Sequence, residues 1–165
     1  MPLHRRGIDV VIRMSEMDDA LTLSTTVQHE LGHVATLTGA SDGASDKYTW
    51  LTEGVAEYIA WTPKPAAQTE RRDSVRWKLR GGTPKSMVPV EPGPNASIRA
   101  EDAFYGLSHL AVDCMAKVYG EGRMLTFVKL VLTQGKSPDK AAPEAFGQPF
   151  GTVDHTCVAW IKKQV

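Results

Sequence analysis

Cysteine is nearly absent: Cys114 and Cys157 stand 43 positions apart, with no Cys-x-x-Cys pair. That excludes a disulfide framework and a thiolate zinc site. Each cysteine falls among apolar neighbours, Leu110, Ala111, Val112 and Met115 for the first and Val158, Ala159 and Trp160 for the second. Both therefore read as packing residues. Neither sign of charge is in excess, since 19 Lys and Arg balance 19 Asp and Glu. With a pI near 7.0, no global field collects polyanions, and nucleic acid is excluded as the expected partner. No run approaches the roughly 18 apolar residues of a membrane span. After His4, Arg5 and Arg6 come Gly7, Ile8 and Asp9, where a signal peptide needs an unbroken apolar stretch. The expectation is a cytoplasmic chain as the sequence stands, or a secreted one if Met1 is not the true start. What the chain does have is 165 residues with 42% hydrophobic content, enough for one domain with a core of its own over 1–165.

The patterning is mainly helical. Ile8 to Met14 is short, β-branched and partly alternating, and reads as the one strand, with residues 1–23 as strand and lead-in. Val27, Leu31, Val34, Ala35 and Leu37 recur at helical spacing from Ser24 to Thr38, with Thr25 and Gln28 placed as a capping box and Gly39 as the stop. A Gly/Ser/Asp loop over 39–46 leads to a second stripe, Trp50, Leu51, Val55, Tyr58 and Ile59, which Pro63 and Pro65 end. Residues 24–62 form a helix pair on this reading, and 63–165 a helical C-terminal part. Within the latter, 66–80 reads as a basic helix whose Arg71, Arg72, Arg76, Lys78 and Arg80 form a solvated face. Residues 81–95 read as a Pro/Gly-rich loop, and 103–118, 123–133 and 153–163 as further helices.

The chemistry is carried by His29-Glu30-Leu31-Gly32-His33. Residues four apart on a helix share a face, so both imidazoles can reach one cation. About 0.008 such matches are expected by chance in a chain of this composition, too few to dismiss the motif. Two neutral imidazoles suit Zn2+, whose remaining position would hold a water acidified by the ion, with Glu30 accepting its proton. A catalytic zinc needs a third protein ligand, and the second helix offers two candidates, Glu53 and Glu57. The interval from His33 lets that helix return antiparallel beside the first, with Gly32 and Gly54 permitting close approach.

With these residues in place, the chain resembles the gluzincin metallopeptidases. TWLTEGVAEYIA is similar to the Trp-Leu-x-Glu-Gly-x-Ala segment of the aminopeptidase N family and of the bacterial peptidase MA-like domains. The resemblance implies a zincin-like fold, with His29, His33 and Glu53 as zinc ligands and Glu30 as general base. Glu57 stands at the offset where the thermolysin branch has an acid that supports the first histidine. Phe104-Tyr105-Gly106-Leu107-Ser108, with Tyr119-Gly120 after it, is similar to the aminopeptidase helix bearing Tyr-Glu-Lys-Gly, although Gly-Leu-Ser stands here for Glu-Lys-Gly. By that resemblance Tyr105 donates to the oxyanion. His109, one turn further on, is a candidate cleft residue. Gluzincins carry a β-sheet ahead of the motif helix, and here Ile8 to Met14 is all that corresponds to it. There is no Gly-x-Met-Glu-Asn segment, so an exopeptidase mode is not implied.

The expectation is thus an α+β, mostly helical, zincin-like domain with a reduced or truncated N-terminal sheet. It would hydrolyse peptide bonds in a peptide or protein substrate through a metal-activated water. Two other readings fit the same residues. One is a non-catalytic, zinc-stabilised interaction module, against which the retention of Glu30 argues, because Glu30 ligates nothing. The other is a zinc hydrolase of a non-peptide amide.

Overall fold

The structure is a computed structural model that describes residues 10–11, 19–41, 43–80 and 82–165. The expected strand Ile8 to Met14 lies outside these apart from Val10 and Val11, which belong to no regular element. Among the described residues every regular element is helical, with no strand. No described helix is long and apolar enough to cross a membrane.

Helix α1 (Ala20–Leu37) starts four residues before the expected point. Its cap is Asp19, whose carboxylate accepts from the Thr22 amide at 2.8 Å, and not a capping box at Thr25. An N-cap carboxylate both satisfies an orphan amide and complements the helix dipole. Thr25 instead turns its hydroxyl back onto the Leu21 carbonyl. After Gly39, whose φ is +80°, the short helix α2 (Ala44–Lys47) leads into α3 (Thr49–Trp61). Trp50, Leu51, Val55, Ala56, Glu57, Ala60 and Trp61 of α3 are all buried. A helix buried on most of its circumference must be central, and α3 lies between α1 on one side and α5 (Ile98–Cys114) on the other.

Two glycines set these distances, each on a different side of α3. A Cβ on Gly32 would stand 2.9 Å from the Ala56 Cα. One on Gly54 would stand 2.5 Å from the Ser108 carbonyl oxygen. Gly32 therefore seats α1 on α3, as expected, whereas Gly54 seats α5 rather than α1. The pairs His33 with Glu53, Gly32 with Ala56 and His29 with Glu57 run in opposite directions along the two helices, so α1 and α3 are antiparallel.

Helix α4 (Arg72–Leu79) packs on α5 and begins later than the 66–80 helix expected from sequence. Helix α5 is capped by Ser97 and runs on as a wider, π-helical turn over Met115–Tyr119. Gly120, at φ +94°, then turns the chain into α6 (Glu121–Val128), itself extended by a π-helical turn over Lys129–Thr133. Helix α7 (Pro138–Phe146) was not expected; its apolar residues are mostly alanines, which carry a weak periodic signal. Helix α8 (Phe150–Lys162) closes the fold. Phe127, Phe146 and the half-buried Phe150 cluster between α6, α7 and α8, with ring centroids 5.2 and 6.0 Å from Phe127.

The segment over 82–97 is irregular, as expected, but it is anchored. Met87 is fully buried, and Asp154 of α8 accepts from the Ser86 hydroxyl and the Met87 amide. Its far half, Glu91 to Pro94, is thereby held beside Glu53 and Tyr105.

The cysteines are not free packing residues. Cys114 at the end of α5 and Cys157 in α8 form a disulfide, with Cα atoms 5.7 Å apart. The expectation failed because both lie on apolar helix faces, and nothing local shows that two such faces meet. Closing a loop of this length removes unfolded-state freedom worth about 4 kcal/mol in the chain-entropy account. Thiol titration of the unfolded, unreduced protein should accordingly find no free cysteine, and reduction should lower the thermal midpoint by several degrees. An unchanged midpoint after full reduction would contradict this stabilising role.

Candidate metal centre

The helical spacing of His29 and His33 puts both rings on the face of α1 that meets α3. Their ring centroids are 4.6 Å apart and their Nε2 atoms 3.0 Å apart. From α3, Glu53 brings Oε2 to 3.2 Å from His29 Nε2 and 3.3 Å from His33 Nε2. Three ligand-type atoms from residues 20 and 24 positions apart thus form a nearly equilateral triangle. A tetrahedral ion with bonds of about 2.0–2.1 Å sets its ligand atoms about 3.3 Å apart, so the donor set and its dimensions fit a small divalent cation.

The hydrogen-bond chemistry points the same way. His29 Nδ1 lies 3.1 Å from Glu57 Oε1. An Nδ1–H donated to that carboxylate leaves Nε2 as a lone pair. That lone pair then faces Glu53 Oε2, a buried oxygen with no hydrogen-bond partner among the described residues. Acceptors this close repel unless a cation lies between them. Burial alone would lower the His29 pKa, but the facing carboxylates of Glu53 and Glu57 outweigh it and raise the pKa to about 9. Burial likewise would raise Glu53, but the two imidazoles hold it at about 2.

No family model, no curated protein and no solved structure matches the chain.

Glu57 is almost fully buried and intensively bonded. Besides His29, it accepts from Trp61 Nε1 at 3.0 Å, Arg71 Nε at 2.8 Å and Arg71 Nη2 at 2.9 Å. Burial would raise its pKa, yet His29 and Arg71 hold it at about 2. Glu30 is half-buried and lines a cleft of about 630 Å³ together with His33, Glu53, Asp46, Thr49, Thr52 and Glu91. Among the described residues it takes no ion-pair or hydrogen-bond partner. Tyr105 has its ring 6.1 Å from that of His29 and lines a second cavity with Glu53, Glu91 and Phe104. Burial and then the negative charge of Glu53 raise its pKa, which keeps the hydroxyl protonated and able to donate.

His109 does not reach the cleft. It is 1% exposed, with its ring edge-on to Tyr58 at 6.3 Å, beneath α3. Conversely, Arg71 is absent from the sequence reading of the site, where it stood on a solvated face. It occupies the N-cap position of α4 and points inward, linking Glu57 to Asp102 of α5. Arginine in a basic run carries no signal of burial, and Glu57 and Arg71 are 14 residues apart. Trp61, four residues after Glu57, was available from helical spacing. Glu91 of the irregular segment had no periodic signal.

Burial lowers the His109 pKa to about 4 against 6.5 when exposed. The unfolded chain therefore takes up this proton first, so the contribution of His109 to stability is present above pH 6.5 and lost as pH falls towards 4. Thermal unfolding followed from pH 7 to pH 5, above the range in which unfolded carboxylates titrate, should show a smaller acid-side loss in His109→Leu than in the parent protein. Equal slopes would contradict a neutral, buried His109.

Proposed function

We propose that the chain is a zinc-dependent peptidase of the gluzincin type with a zincin-like arrangement of α1 and α3. The observation that carries this reading is the triangle of His29 Nε2, His33 Nε2 and Glu53 Oε2, with all edges between 3.0 and 3.3 Å. The donor set of two imidazoles and one carboxylate suits zinc and leaves one position of a tetrahedron open. When bound, the ion supplies Lewis acidity that acidifies a water and polarises the scissile carbonyl.

The residues of the chain do the rest. His29, His33 and Glu53 hold the ion, and Glu57 fixes the tautomer and the ring orientation of His29. Glu30 immediately follows His29 and opens onto the same cleft as His33 and Glu53, so its carboxylate is the group that accepts the proton of the attacking water and passes it to the leaving amine. Tyr105, neutral and lining a cavity that it shares with Glu53, donates its O–H to the oxyanion. The cleft of about 630 Å³ is of the size that accommodates several substrate atoms on either side of a scissile bond. Its wall formed by Glu91 belongs to the anchored irregular segment. The Cys114–Cys157 bond supports an oxidising compartment for the folded protein, where such bonds persist.

Elemental analysis of the purified protein should find about one zinc per chain, absent from Glu53→Ala. If Glu53→Ala retains full zinc affinity, the ligand set is wrong. In the zinc-loaded protein, Glu30→Gln should keep the metal and lower peptide turnover about a hundredfold or more, because an amide cannot accept the proton. Unchanged turnover in that variant would remove Glu30 as the base. Tyr105→Phe should depress kcat far more than KM, since an oxyanion donor acts chiefly in the transition state; a loss confined to KM would remove it from that role.

A further inference from the structure

Arg71 meets both flanks of the centre at once. Its Nε and Nη2 donate to the two oxygens of Glu57 at 2.8 and 2.9 Å, a two-pronged contact that fixes the plane of the carboxylate and not merely its charge. Glu57 Oε1 is shared between Arg71 Nη2 and His29 Nδ1, so the direction in which Glu57 receives His29 is set by the guanidinium. The guanidinium also lies over the face of the Tyr105 ring, 4.8 Å from its centroid, a favourable cation–π contact. Its remaining arm, Nη1, is tied to Asp102 on α5, three residues before Tyr105.

A free arginine in the cavity of about 210 Å³ beside Thr25, Thr26, His29 and Tyr105 would suggest a subsite for an anionic substrate group. The bonding argues against it. Each of the three guanidinium nitrogens already donates to a carboxylate, and two carboxylates face one guanidinium, so the local charge is negative. The arrangement is built to hold protein groups.

We propose that Arg71 is a positioning residue for the metal centre, which holds the ligand His29 through Glu57 on α3 and orients Tyr105 on α5 through its contact with the ring face. This rests on the zinc reading given above. Lysine at this position cannot reproduce the role: an ammonium on a flexible stem can neutralise Glu57 but can neither grip both oxygens nor lie flat on the ring. The loss of the fork, with charge kept, is therefore the informative change.

The test is zinc affinity measured by competition with a chromogenic chelator, with metal alone and no peptide, in the full chain. Arg71→Lys should bind zinc roughly 10- to 100-fold more weakly, the size of effect that outer hydrogen-bond partners of ligands give. Arg71→Lys combined with Glu57→Gln should bind no more weakly than Glu57→Gln alone, because both act through one path. Proton–nitrogen correlation spectra of the zinc-loaded protein should show the His29 Nδ1–H in the parent protein and its broadening or loss in Arg71→Lys. Circular dichroism establishes that the variant is folded. Should it fail to fold, Asp102→Asn, at a partly exposed position, loosens the outer anchor of Arg71 and should weaken zinc binding several-fold. Zinc binding by the parent protein with unchanged affinity in the folded variant, or in Asp102→Asn where that stands in, overturns the role of Arg71 alone. Failure of the parent protein to bind zinc overturns the zinc reading, and this role with it.

Discussion

Contact between the backbones of α1 and α3 at Gly32 and Ala56 sets the distances on which the centre depends. The two helices carry the three ligand-type atoms on facing surfaces, and those atoms stand 3.0 to 3.3 Å apart. Such a triangle tolerates little change in the interhelical separation. With an ordinary side chain at position 32, the added Cβ would meet the Ala56 Cα at 2.9 Å and α1 would have to move outwards. The histidines would then retreat from Glu53 together, because both ride on the same rigid helix. Helix α3 in turn is seated by Gly54 against α5, so the position of Glu53 is inherited from the core.

The second constraint is electrostatic. Glu57 is an ionised carboxylate at almost zero exposure, a state that is costly unless every lone pair is met. Trp61, Arg71 and His29 meet them. The fold therefore places a fully compensated charge behind His29, while Glu53 faces the rings with an oxygen that lacks a partner among the described residues. Bonding is thus satisfied behind His29 and left open where Glu53 faces the two rings, an arrangement that could hold a cation.

Local periodicity made α1 and α3 legible in the sequence, together with the facing of His29 and His33, since four-residue spacing on a helix is a property of the segment alone. The return of the second helix was legible from the length and Gly/Ser/Asp content of the intervening loop. Features set by distant parts of the chain were not. Arg71 lies in a run of basic residues that reads as solvent-facing until the turn after Pro65 is known to fold it back onto Glu57. The partner of Gly54 could not be read because a glycine on a buried helix does not show which neighbour approaches it. Helix α7 was missed for want of large apolar residues, and the start of α1 was misplaced because Asp19 is a better cap than Thr25. His109 shares sequence spacing with Tyr105, but α5 turns that position inwards under α3. The disulfide joins two helices whose apolar faces each look complete.

That disulfide also changes what a break in the chain would do. Cys114 and Cys157 bracket the π-helical turn, α6, α7 and the start of α8, with exposed turns at Gly120–Glu121, Gln134–Gly135 and Gly147–Gln148. A single cut at any of these would leave both pieces covalently joined, with Tyr105 on one piece and the Asp154 anchor of the irregular segment on the other. Such a nick would then leave the molecular mass almost unchanged, and the damage would become visible only when the bond is reduced.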